Sequence, residues 1–162
     1  MIRNGVITGV RVAHDTATVD EIEAASADDI SARIADLLAT PGVREAFAIQ
    51  TCNRAEAYVV TDRADQGRDA LAQIADPVRS GGVVTMPHEE GLRHLMRLAA
   101  GLESLVLGED QIIGQLKDAI EIARRAEGLG PILEDALMKA VHVGERARTE
   151  TAINEGVVSL GS

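Results

Sequence analysis

VREAFAIQTCNRAEAYVVT, residues 43–61, is the stretch that decides the fold. Val43 to Gln50 is rich in apolar and β-branched residues and reads as a strand. Ala57 to Thr61 reads as another. Between them lies a polar turn, Thr51-Cys52-Asn53-Arg54, so the two strands predict a hairpin.

Working outward, residues 5–12 (GVITGVRV) predict a strand on the N-terminal side. Thr18 and Glu21 have capping-box spacing, which predicts a helix start. Ile30, Ile34, Leu37 and Leu38 recur at helical spacing until Pro41-Gly42 stops them. On the other side, residues 66–75 predict a short helix and Val83 to Met86 a fourth strand. The order is β-α-β-β-α-β, that of a ferredoxin-like split unit, so the expected class is α+β. From residue 88 the pattern is helical only. Leu92, Leu95, Met96 and Ala99 form one apolar stripe, closed by Gly101. Ile112, Ile113, Leu116, Ala119, Ile120 and Ala123 form a second. Leu133, Ala136, Leu137, Ala140, Val141 and Gly144 form a third, after the Gly128, Gly130 and Pro131 punctuation. A C-terminal helical part therefore follows the ferredoxin-like unit.

Composition narrows the function. The chain has 162 residues, one Phe, one Tyr and no Trp, so its core must be aliphatic. Rows of aromatics for stacking bases are excluded. The formal net charge of −10 argues against a general nucleic-acid binder. Lys117 and Lys139 are the only lysines among 16 cationic residues. An acidic, lysine-poor, alanine-rich chain is that of a protein adapted to high salt, as in a halophilic archaeon. At molar salt the Debye length is about 3 Å, so any RNA would be held by local contacts. A single cysteine fits a reducing cytoplasm. The N-terminus lacks an apolar core of signal-peptide length, and no stretch approaches the roughly 18 apolar residues of a membrane span. A soluble, cytoplasmic protein is expected.

Three features could carry chemistry. Cys52 is the lone thiol; its polar neighbours put it near a surface, and Arg54 can favour the reactive thiolate. Local chemistry leaves it open between an inert residue and a nucleophile. GLESLVLGEDQ, residues 101–111, joins two predicted helices. Glu109 and Asp110 suit a helix N-terminus on dipole grounds alone, and Gln111, Gln115 and Asp118 share one polar stripe that is equally a solvated face. His14, His88, His94 and His142 are scattered; His94 lies on a helix face with Arg97 and Gly101. No GxGxxG follows a strand, no P-loop is present, and no His or Cys pair has zinc spacing. Neither a cofactor-binding nor a metal-binding residue is expected in the chain.

TCNRAEAY at 51–58 resembles the TCNR-x-E-x-Y signature of glutamyl-tRNA reductases. GLESLVLGEDQIIGQLKDA at 101–119 resembles that family's GL-x-S-x-V-L-GE-x-QI-x-GQ-x-K-x-A segment, and HLMRLAAGL at 94–102 the stretch leading into it. GVVSLGS at 156–162 is similar to the start of the segment before the family's cofactor domain. Proline usually stands where this chain has Asp110, and often Ser where it has Gln50. The resemblance implies NADPH-dependent reduction of glutamyl-tRNA(Glu) to glutamate-1-semialdehyde, the entry step of tRNA-dependent tetrapyrrole (porphyrin) synthesis, through a cysteine thioester. It implies a catalytic domain over residues 1–155 and, over 156–162, the connection to an NADPH domain that this chain lacks. It further implies homodimerisation through another missing domain and glutamate-1-semialdehyde aminotransferase as a partner. By position, Cys52 matches the nucleophile and His94 a histidine important for activity. Thr51, Asn53, Arg54, Ser104, Glu109, Asp110, Gln111 and Gln115 match substrate-binding positions. Arg54 suits a grip on the substrate's side-chain carboxylate, and His94 protonation of the leaving ribose oxygen. The chain alone is expected to lack reductase activity. The competing expectation is a stand-alone cysteine-dependent deacylase or a tRNA-binding regulatory module.

Overall fold

A computed structural model describes residues 5–78, 80–103 and 111–161, with side chains as far as Glu150 apart from Ser80. The elements run β1 (Val6–Ala13), α1 (Val19–Ala25), α2 (Ile30–Ala39), β2 (Glu45–Thr51), β3 (Arg54–Thr61), α3 (Ala64–Ala75), β4 (Val83–Met86), α4 (His88–Ala99), α5 (Gln111–Arg125) and α6 (Pro131–Gly161). The four strands form one sheet in the order β2-β3-β1-β4, with every neighbouring pair antiparallel. This is the ferredoxin-like arrangement expected from the element order, followed by the helical part.

The register shows which residues share a face. Val60, Tyr58, Glu56 and Arg54 of β3 stand opposite Ile7, Gly9, Arg11 and Ala13 of β1, and Glu45, Phe47 and Ile49 of β2 continue that face. Helices α4, α5 and α6 cover it, while α1, α2 and α3 cover the other. The sheet is thus the middle of three layers, and every residue of β3 is buried. A strand buried on both faces cannot display the alternation of a half-exposed one.

Three readings are refined. First, the segment from Thr18 to Ala39 is two helices. Thr18 and Glu21 do form a capping box at α1. The helix then stops, and the Asp29 carboxylate caps α2 through the Ser31 and Ala32 amides. Gln50 stabilises the break: its amide accepts from the Ala27 N–H at 3.0 Å and donates to the Ala27 carbonyl at 2.5 Å. Second, β3 begins at Arg54, three residues earlier than Ala57. Thr51 pairs with Arg54, so Cys52 and Asn53 alone form the hairpin loop. Third, α6 continues past Gly144, where its apolar stripe ends, to Gly161.

The second layer of helices is aligned by two devices. Glu45, 3% exposed, accepts from the amides of Gly130, Ile132 and Leu133 at 3.0, 3.2 and 2.7 Å, at the start of α6. Gly144 lets α6 cross the end of α4: a Cβ there would lie 2.5 Å from the Ala99 carbonyl oxygen. The Arg148 guanidinium donates to that carbonyl as well. The exit of α4, and with it Gly101 to Glu103, is therefore held in place. No helix among the described residues is long and apolar enough to cross a membrane.

Candidate active site

Cys52 is exposed at the tip of the β2–β3 hairpin. Two-residue loops of this kind usually need positive φ at the first central residue. Here, among the described residues, Glu127 alone of the non-glycine residues has positive φ. The turn is braced differently. The Thr51 hydroxyl accepts from the Asn53 amide at 3.1 Å, and the Asn53 carbonyl accepts from the His14 amide at 3.1 Å. The first is a side-chain to backbone bond of the kind that fastens turns locally, and the second is a backbone bond to the chain after β1. Thr51 and Asn53 thus shape the turn that presents the thiol.

Beneath the turn the strand carries charge inward. Arg54, Glu56 and Tyr58 are alternate residues of β3, so all three point at α4. Arg54 is 3% exposed. Its Nη1 donates to Glu56 Oε2 at 2.8 Å, and its Nη2 donates to the Glu103 carbonyl. Among the described residues no hydrogen bond joins Arg54 to Cys52. Tyr58 donates its hydroxyl to Glu56 Oε1 at 2.6 Å. His94, on α4 and buried, places Nε2 at 2.9 Å from Glu56 Oε2. Its Nδ1 lies 3.8 Å from Glu103 Oε1. Arg97 Nε donates to Glu103 Oε2 at 2.8 Å, and His14 Nε2 lies 3.3 Å from the Glu103 carbonyl oxygen.

Glu56 is the electrostatic centre of this group. Burial pushes its carboxyl up. The hydrogen bond and charge of His94, the charge of Arg54 and the Tyr58 hydroxyl outweigh burial and bring it down to about 2. Burial, then the facing Glu56 carboxylate, pushes the Tyr58 phenol well above its ordinary value. Glu56 is therefore an acceptor and Tyr58 a donor throughout the physiological range. A cavity of about 240 Å³ opens beside the network, bounded by Arg11, Glu90, Arg93, His94, Arg97 and Glu103.

The structure thus brings together Thr51, Cys52, Asn53, Arg54 and His94, from a turn and a helix some 40 positions apart. Gln111 and Gln115 lie exposed on the first turns of α5, with no hydrogen bond to the Cys52 turn among the described residues. Ser104, Glu109 and Asp110 lie outside the described residues. Sequence reasoning passed over Glu56, Tyr58 and Glu103. The missed signal was the i, i+2, i+4 spacing of Arg54, Glu56 and Tyr58, which is visible only once the strand is started at Arg54. His88 proves to be a packing residue: its Nδ1 accepts the Ile7 amide at 3.0 Å. Among the described residues, no group of three or more His, Cys, Asp or Glu could hold a metal ion.

Residues 10–151 match the family model described as glutamyl-tRNA(Glu) reductase, N-terminal domain. The glutamyl-tRNA reductase of Haloquadratum walsbyi is 62% identical over 161 residues, covering 99% of this chain and 36% of the relative. That of Halobacterium salinarum is 57% identical over 158 residues, covering 98% and 36%. Both sources are halophilic archaea, as the acidic, lysine-poor composition led us to expect. The solved glutamyl-tRNA reductase from Methanopyrus kandleri aligns with a TM-score of 0.78 at 30% identity, over 89% of this chain and 34% of that one. The chain spans about a third of the length of the curated relatives it matches. Fold, turn motif and these matches agree: the chain belongs to the glutamyl-tRNA reductase N-terminal domain family.

Proposed function

We propose that this chain carries the acyl-transfer half of glutamyl-tRNA reduction, with Cys52 as the nucleophile. The observation that supports this most is the exposed thiol on a braced two-residue turn that leads straight into the strand carrying Arg54 and Glu56, the latter bonded to His94. The Cys52 thiolate attacks the ester carbonyl carbon of glutamyl-tRNA. A carbon–sulfur bond forms, the bond from carbon to the ribose oxygen breaks, and that oxygen takes a proton. The product is a glutamyl thioester and free tRNA; nothing is oxidised or reduced in this step. Arg54 recognises the side-chain carboxylate of the glutamyl group, releasing its bond to the Glu103 carbonyl as it does so. His94 supplies the proton to the leaving oxygen. Its Nε2 is engaged by Glu56, so Nδ1 is the nitrogen that takes the Cys52 thiol proton and passes it to the leaving oxygen.

Substrate contacts from Thr51, Asn53, Gln111 and Gln115, and from Ser104, Glu109 and Asp110, complete the proposal. NADPH, held outside this chain, would supply hydride for the later reduction. The residues here do not fit it: the sheet is wholly antiparallel, without the parallel β-α-β crossover and glycine-rich turn of a dinucleotide site. We assign hydride transfer to the part of the relatives that this chain does not span, along with dimerisation and any contact with an aminotransferase. A cytoplasmic setting suits a nucleophilic thiol and a tRNA substrate.

Mass spectrometry of the protein mixed with glutamyl-tRNA tests this reading. A glutamyl adduct on Cys52, absent from Cys52→Ser, is expected. Equal deacylation by wild type and Cys52→Ser, with no adduct, would refute the covalent step.

A further inference from the structure

We infer that Glu56 is a positioning residue: its one buried carboxylate orients Arg54 and His94 together and holds His94 as the Nε2–H tautomer. The side chain is fully buried and takes three donors, Arg54 Nη1 and His94 Nε2 on one oxygen and the Tyr58 hydroxyl on the other. An ionised carboxylate can only accept hydrogen bonds. An Nε2 lying 2.9 Å from such an oxygen must therefore carry a hydrogen, since a bare nitrogen would set lone pair against lone pair. In the neutral ring Nδ1 is then unprotonated. It faces Glu103 Oε1 across 3.8 Å, longer than a hydrogen bond, beside the cavity bounded by Arg11, Glu90, Arg93 and Arg97. Carboxylate partners fix histidine tautomers in the same way in metal sites and catalytic triads.

A purely structural reading explains less. Buried ion pairs can often be replaced by apolar residues without loss of stability. Here both groups joined by the carboxylate are side chains that the proposed reaction uses, and Glu56 comes two residues after one of them. The consequence for catalysis rests on the function proposed above: Arg54 and His94 are set by one group, so disturbing it shifts both substrate grip and proton delivery.

The test is a long-range ¹H–¹⁵N spectrum of the histidine rings at a pH where they are neutral, with His94 identified by its loss in His94→Gln. The Nε2–H form is expected in wild type. Glu56→Gln should keep it, because the amide oxygen still accepts. Glu56→Leu should give a mixture of tautomers and slow single-turnover glutamyl transfer to Cys52 by about 10-fold or more. Cys52 alkylation by iodoacetamide should proceed at an unchanged rate in both variants, showing the turn intact. An Nδ1–H ring in wild type, or an unaltered tautomer in Glu56→Leu, would overturn the inference. If the Leu variant does not fold, the wild-type spectrum decides alone. A protein with the Nε2–H form but no glutamyl adduct would keep the positioning role and remove the function.

Discussion

Two buried carboxylates stand on the same face of the sheet and do different work. Among the described residues Glu45, on β2, accepts only from backbone amides of the Gly130–Leu133 segment. Glu56, on β3, accepts, among the described residues, only from side chains: a guanidinium, an imidazole and a phenol. Both are 3% exposed. Burial therefore does not separate them; their donors do. Backbone amides at a helix start cannot change charge or turn away, so Glu45 is a fastening, with the helix dipole in its favour. Imidazole and guanidinium can gain, lose or redirect hydrogen bonds, so Glu56 belongs to a site that can respond to a ligand.

The division can be broken experimentally. The largest effect is expected for Glu45→Ala. It leaves three amides at the start of α6 without their acceptor and should lower stability by about 4 kcal/mol in urea unfolding. Iodoacetamide labelling of Cys52 in the folded fraction should be unchanged. A Glu45 variant that spared stability but slowed glutamyl transfer would erase the contrast.

Next comes the acid limb for Glu56. Its carboxyl lies below the ordinary value of 4.5, at about 2, in the folded chain. A group depressed by folding stabilises above its unfolded value and loses that contribution as pH falls through the folded one. Wild-type stability should therefore decline between roughly pH 5 and pH 2, by about 3 kcal/mol from this group. Glu56→Gln should flatten that limb, and the gap between the two proteins should close towards pH 2. Parallel curves would show that Glu56 carries no such charge.

The smallest effect sharpens the comparison from outside. Arg97 reaches Glu103 from the surface, its own side chain 52% exposed. Arg97→Gln should change stability by less than about 0.5 kcal/mol, and by less still in molar potassium chloride. The Arg54–Glu56 pair, fully inside, should not respond to salt in this way. A salt-sensitive Glu56 variant and a salt-insensitive Arg97 variant would invert the assignment.

The hairpin, the order of elements along the chain and the exposure of the Cys52 turn were legible in the sequence because each is local. A run of apolar residues, a polar four-residue turn and a second run leave few alternatives. The Thr18–Glu21 cap and Val83–Met86 strand were legible for the same reason, as was family membership through the ordered motif at 51–58. The start of β3 was not. Arg54 reads as the end of a polar turn, and the strand reads as starting at Ala57, unless it is known to be covered on both faces, and that cover comes from helices elsewhere in the chain. Only the tertiary structure, by bringing α4 over that face, turned Glu56 from one letter of a motif into the partner of His94, 38 positions away. The physical reason is that a carboxylate's role depends on the donors that surround it. Donors gathered from β3 and α4 are set by packing, which no local pattern of residues encodes.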